Sequence, residues 1–167
     1  MRGTRVDTVE ASSRFQATHA EWAGFIAICL FALLLRFPVA GMPLERDEGE
    51  YAYIAQQWLQ GALPYRDTFD QKPPGVHLMY VLIESLAGTT PAAIHWATQI
   101  YTLGTLAVLF VLGRYLSSPA AGLAAAAFAA FMTVDPSVLG NAANTEVFML
   151  LPLTAAMLAA CYAIERD

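Results

Sequence analysis

The chain has 167 residues, of which 57% are hydrophobic and only 14% charged, with a net charge of −5. Soluble domains carry about 25% charged and about 45–50% apolar residues, so an ordinary water-soluble globule is excluded, and with no basic run a nucleic-acid partner is excluded too. The charges cluster before Trp22, between Glu45 and Lys72, and at the last few residues, leaving long uncharged stretches that read as membrane segments.

The polar residues 1–21 lack a compact basic start and a small-residue cleavage site. They are expected to be a cytoplasmic tail ahead of an uncleaved anchor, with residues 22–167 forming the membrane domain. The first span is predicted from Trp22 to Val39, long enough for a hydrocarbon core that needs about 20 residues. Arg36 near its far end is expected to snorkel to the headgroups. Residues 42–74 form an outward-facing loop that contains an amphipathic helix. Asp47 and Glu50 have the spacing of a capping box, and Tyr51, Ile54, Ala55, Trp58 and Leu59 recur on one face before Gly61 and Pro64 end it. Too short to span, this helix is expected to lie flat at the interface, where Tyr51, Tyr53 and Trp58 are anchors.

Pro74 to Gly88 is apolar but would reach only about 22 Å as a helix, and it carries Glu84, so its crossing is in question. Pro91 to Leu116 is a clear span, with Trp96 and Tyr101 near one end and Arg114 near the other. Ser117, Ser118 and Pro119 make a turn, and Pro119 opens the next helix. That helix runs over the alanine-rich stretch from Ala120 to Val134. A small loop from Val138 to Thr145 precedes the last span, Glu146 to Ile164, with Asn144 or Thr145 as its N-cap. Cys29 and Cys161 lie in apolar segments and read as packing thiols. The chain stops soon after a hydrophobic segment, which suggests the N-terminal portion of a larger protein.

The chemistry is concentrated in Arg46-Asp47-Glu48-Gly49-Glu50-Tyr51 and in Tyr65-Arg66-Asp67-Thr68-Phe69-Asp70-Gln71-Lys72-Pro73-Pro74-Gly75. An Asp-Glu pair just after the first membrane helix, followed by Lys-Pro-Pro, resembles the polyprenyl-phosphate-sugar-dependent glycosyltransferases of family 39. These include protein O-mannosyltransferases and aminoarabinose transferases. The resemblance covers most of the chain and includes Arg114-Tyr115 at a helix end and Glu146 opening a later helix. Each part is weak alone; the ordered set is the signal.

The resemblance implies an all-α, multi-pass bundle of the GT-C architecture, and an inverting hexosyl- or pentosyltransferase in the plasma membrane. Its partners would be the lipid bilayer, a polyprenyl-phosphate sugar donor and an acceptor the sequence does not name. It implies Asp47 as the base that takes the acceptor's proton, with Glu48 beside it in the catalytic pair and Glu146 shaping the site. Lys72 and Arg66 would hold the donor phosphate, Lys as a point charge and Arg through two parallel bonds. Gln71 stands where some relatives have an acid implicated in metal binding. A neutral amide is a poor ligand, which puts a divalent cation in doubt and leaves Asp70 as the substitute donor.

Each residue also has a plain reading. Asp47 can be an N-cap, Glu146 a dipole-favoured helix start, Lys72 an interfacial anchor, and His77 and His95 packing residues. A non-catalytic membrane subunit, or a transporter fragment, is the alternative function. If Asp47 and Glu146 share a site, an even number of segments must cross between Lys72 and Glu146, and Pro74 to Gly88 is the one expected not to. Arg114 and Arg166 then fall on the cytoplasmic side with Arg2, Arg5 and Arg14.

Overall fold

The computed structural model describes residues 17–135 and 139–165. The expected tail falls largely outside these residues, as do Arg2, Arg5, Arg14, Val138 and Arg166. Six helices make up the described fold: α1 His19–Arg36, α2 Arg46–Leu59, α3 Pro74–Ala87, α4 Pro91–Leu116, α5 Pro119–Met132 and α6 Thr145–Ile164. Three of them, α1, α4 and α6, are long and apolar enough to cross a membrane, whereas α3 and α5 are shorter apolar helices.

Local chemistry sets most of the boundaries. Thr18 caps α1 by accepting from the Glu21 N–H at 3.3 Å, so the helix starts before Trp22. Thr90 and Ser118 cap α4 and α5 in the same way, each with a proline following in the first turn. In α2 the capping box is Glu45 with Glu48, not Asp47 with Glu50. The Glu45 N–H donates to Glu48 at 2.8 Å, and Glu45 accepts from the Asp47 N–H at 3.0 Å. Two acid-x-x-acid registers overlap in this stretch, and the one that buries Glu48 wins. The helix ends just before Gly61, whose φ of 97° suits glycine.

Packing divides into two cores. Phe25 and Ala32 of α1, Leu106 and Phe110 of α4, and Ala126 and Ala130 of α5 form one. The other joins Tyr51 and Ala55 of α2 to Val76, Tyr80 and Ile83 of α3, and closes on Ile94 and Phe148. Glu84 of α3 is buried, and one of its oxygens accepts from Gln56 of α2 at 3.3 Å.

Arg36 departs from expectation. Its side chain does not reach outward; the residue is fully buried. The guanidinium donates to the carbonyls of Thr133 at 2.6 Å, Gly140 at 3.3 Å and Asn141 at 2.5 Å, tying the end of α1 to the α5–α6 loop. The Thr133 carbonyl at the C-cap of α5 and two loop carbonyls give the guanidinium fork its acceptors. At the opposite end of the bundle, Glu21 in the first turn of α1 pairs with Arg114 in the last turn of α4.

Candidate active site

At the Arg36 end, the start of α2, the loop before α3 and the α5–α6 connection enclose a cavity of about 330 Å³. Asp47, Lys72 and Glu146, which come from three separate segments, all line it. Asn144 and Thr133 complete its polar side, while Met132, Leu139, Val147 and Leu150 form an apolar flank.

Asp47 sits in the first turn of α2, and Glu45 has already taken the capping role. Its carboxylate is half-buried and accepts from Arg46 Nε at 2.9 Å, a side chain that is itself 87% exposed. The carboxylate is therefore not consumed by the fold. Lys72 is held at its backbone: its N–H donates to Asp70 at 3.0 Å, and its carbonyl accepts from the Tyr65 hydroxyl at 2.7 Å. Its Nζ lies 3.9 Å from Glu146 Oε1. The neighbouring Tyr51 and then Glu146 hold the ammonium above its ordinary pKa. Glu146, in the first turn of α6, is 74% exposed at its side chain and so is available at the cavity mouth.

Glu48 is placed differently from the expectation of a catalytic pair. It is buried beneath the cavity and absent from its lining. Besides the cap, it accepts from the Ala143 N–H at 2.5 Å and faces His95 Nε2 at 3.1 Å. The other ring nitrogen of His95 lies 2.9 Å from the Ala40 carbonyl. Burial disfavours the Glu48 carboxylate, but His95 and the two backbone N–H groups outweigh it, and its pKa falls below the ordinary value. Glu48 thus fixes the floor of the site. Both of its oxygens are hydrogen-bonded within the fold, and neither belongs to a residue that lines the cavity.

Arg66 is likewise not brought to the cavity. It is an exposed side chain that forks onto Asp67 at 2.9 and 2.7 Å. Arg66 and the Leu63 N–H hold the Asp67 carboxyl down to about 2. Of the two proposed phosphate ligands, Lys72 lines the cavity and Arg66 does not.

Gln71 is exposed, and Asp70 is buried with one oxygen accepting from Lys72 and the other 3.1 Å from His77 Nε2. Among the described residues no group of three His, Cys, Asp or Glu side chains stands close enough to hold an ion.

The loop contacts of Arg36 and the Glu48–His95 bridge escaped sequence reasoning. Glu48 had a local signal, its spacing from Glu45; the Arg36 contacts depend on a segment far away in the chain. Comparison with family models, with curated proteins and with solved structures gives no match for this chain.

Proposed function

We propose that this chain is a multi-pass membrane protein that moves a sugar from a polyprenyl phosphate to an acceptor hydroxyl at the outer membrane surface. The observation that carries the proposal is the convergence of Asp47, Lys72 and Glu146 on one cavity that also has an apolar flank. A scaffold has no use for that convergence. A lipid phosphate ester does, since it needs a cation for its head and hydrocarbon for its chain.

Membrane placement follows from the same surfaces. Leu34, Ile100, Phe128 and Leu153 are large hydrophobics that stay exposed on α1, α4, α5 and α6. Lipid tails are the natural neighbour of such faces, because burying them in hydrocarbon removes apolar area from water. The helix α2 then lies at the interface with its Asp47 end at the cavity.

In the reaction, the acceptor oxygen attacks the anomeric carbon while Asp47 takes the hydroxyl proton. A new C–O bond forms as the bond from the anomeric carbon to the phosphate oxygen breaks, and its electron pair leaves with the polyprenyl phosphate. Lys72 stands where that charge grows and stabilises it electrostatically. Glu146 holds Lys72 in place by their ion pair. A single displacement of this kind inverts the anomeric centre. No step requires a metal ion.

The test is Asp47→Asn in the full chain, reconstituted in lipid with a polyprenyl-phosphate sugar. Losing a general base costs roughly 100-fold or more, so turnover should fall by at least that while donor binding holds. Turnover near the wild-type rate would remove Asp47 from the chemistry.

A further inference from the structure

Lys72 is the only lysine in the chain, and its backbone is held by side chains. It stands outside any helix or strand, just ahead of Pro73 and α3. Backbone groups in such a place still need partners. Its N–H donates to Asp70 at 3.0 Å, and its carbonyl accepts from the Tyr65 hydroxyl at 2.7 Å. With both of these groups pinned, the direction in which the side chain leaves the backbone is set. The ammonium is thereby delivered to the cavity, 3.9 Å from Glu146 Oε1.

These supports are themselves supported. The other Asp70 oxygen lies 3.1 Å from His77 Nε2, and His77 is fully buried near the start of α3. The rings of Tyr65 and Tyr51 pack edge-on with the His77 imidazole, centroids 6.1 and 5.7 Å away. Tyr65 also has a φ of 66°, a left-handed conformation that bulky side chains rarely adopt. Among the described residues only one other non-glycine residue does so, Leu139, and it lines the same cavity. Strain of this kind gathers at functional sites, where the surrounding structure over-determines it. The turn itself is closed by the Tyr65 N–H, which donates to the Thr68 carbonyl at 2.7 Å. A glycine could make that bond without the strain. What a glycine could not supply is the hydroxyl on Lys72.

We propose that Tyr65 is a positioning residue for Lys72, its hydroxyl fixing the lysine over the cavity before the donor phosphate arrives, with Asp70 and His77 behind it. This rests on the glycosyl-transfer reading above, in which Lys72 takes the phosphate, and adds the group that pre-organises it. A lysine stem is flexible. Ordering it on binding weakens affinity unless the fold has ordered it beforehand.

Because the chain has one lysine, isotope labelling of lysine alone lets NMR follow a single side chain in the purified full chain in detergent. In wild type the Lys72 signals should stand apart from those of free lysine and move when a short polyprenyl phosphate is added. Tyr65→Phe keeps the ring and loses only the hydroxyl. Its Lys72 signals should shift toward free lysine, and its affinity for the polyprenyl phosphate should fall about fivefold, the scale of one hydrogen bond. Tyr65→Gly, which suits the backbone but lacks the hydroxyl, should lose at least as much affinity. A hydroxyl serving only the fold would change the melting temperature and leave both the signals and the affinity as they were. That result in either variant would overturn the inference. Lys72→Ala reports separately on the parent reading and should weaken polyprenyl-phosphate binding. Unchanged affinity there would remove the phosphate assignment, and the inference with it, even if Tyr65→Phe still released the lysine signals.

Discussion

Glu48 is buried next to the candidate cavity and does not line it. Its carboxylate ties His95 of α4 to the start of α2 and to the Ala143 N–H before α6, two of the segments that frame the cavity. Removing one partner from a buried, hydrogen-bonded charge leaves the others stranded, at a cost of about 3–5 kcal/mol. Glu48→Ala should therefore lower stability by that order in denaturation experiments. The pH dependence has a definite sign. Because the folded pKa lies below the ordinary 4.5, the unfolded chain binds the proton more readily, so stability is complete above 4.5 and is lost as pH falls through the folded value. Melting curves taken from about pH 6 down to about pH 3 should fall more steeply for wild type than for Glu48→Gln, which has no proton to take up. Parallel slopes in the two proteins would show that Glu48 contributes nothing to acid sensitivity.

Among the elements, α4 and α5 share a side-chain core and also approach at their backbones near Gly113 and Gly122. A Cβ on Gly113 would come within 2.8 Å of Gly122 Cα and 3.0 Å of the Ala121 carbonyl oxygen. One on Gly122 would run into the Phe110 carbonyl and lie 2.7 Å from Arg114 Cγ. Small residues allow such an approach, and in hydrocarbon the resulting van der Waals contact is a main source of helix association. Gly122→Leu should drive the pair apart and cost about 1–3 kcal/mol or more, read as a lower melting temperature in detergent. Gly75→Ala, where a Cβ meets nothing within 4 Å, should leave it unchanged. The helices themselves were largely legible, because Thr90-Pro91 and Ser118-Pro119 are start signals carried by neighbouring residues. The convergence of Asp47, Lys72 and Glu146 was legible only through the resemblance. The choice between two overlapping capping registers was not, since His95 and Ala143 decide it from 47 and 95 residues away. Arg36 failed for the same reason. An arginine at the end of an apolar helix can face headgroups or loop carbonyls, and what decides is a loop about a hundred residues further on.

At the scale of the molecule, the two ends of the bundle carry different chemistry. Glu21 and Arg114 pair at one end, while Arg36, Asp47, Lys72 and Glu146 gather at the other. The helix α3 starts just after Lys72 and hands over to α4, whose His95 contacts Ala40 and Glu48 at the cavity end. With Lys72 before it and His95 after it both at the cavity end, the 14-residue helix α3, roughly 21 Å long, reads as lying along that end of the bundle on the proposed membrane arrangement. α5 has the same 14 residues as α3, so length does not separate the two; the proposed reaction requires that α4 and α5 run out and back, which puts Glu146 and Lys72 on one side of the membrane. The arrangement can be read directly by impermeant maleimide labelling of sealed vesicles. With Cys29 and Cys161, both free thiols, replaced by alanine, single cysteines would be introduced at the exposed positions Gln71, Thr89 and Ser117. Gln71→Cys and Thr89→Cys should label from one face, and Ser117→Cys only from the other. Labelling of positions 71 and 89 from opposite faces would make α3 a crossing helix, and α4 would then begin on the wrong side for His95 to reach Glu48. The cavity could not assemble as described, and the sugar-transfer proposal would lose its geometry along with it.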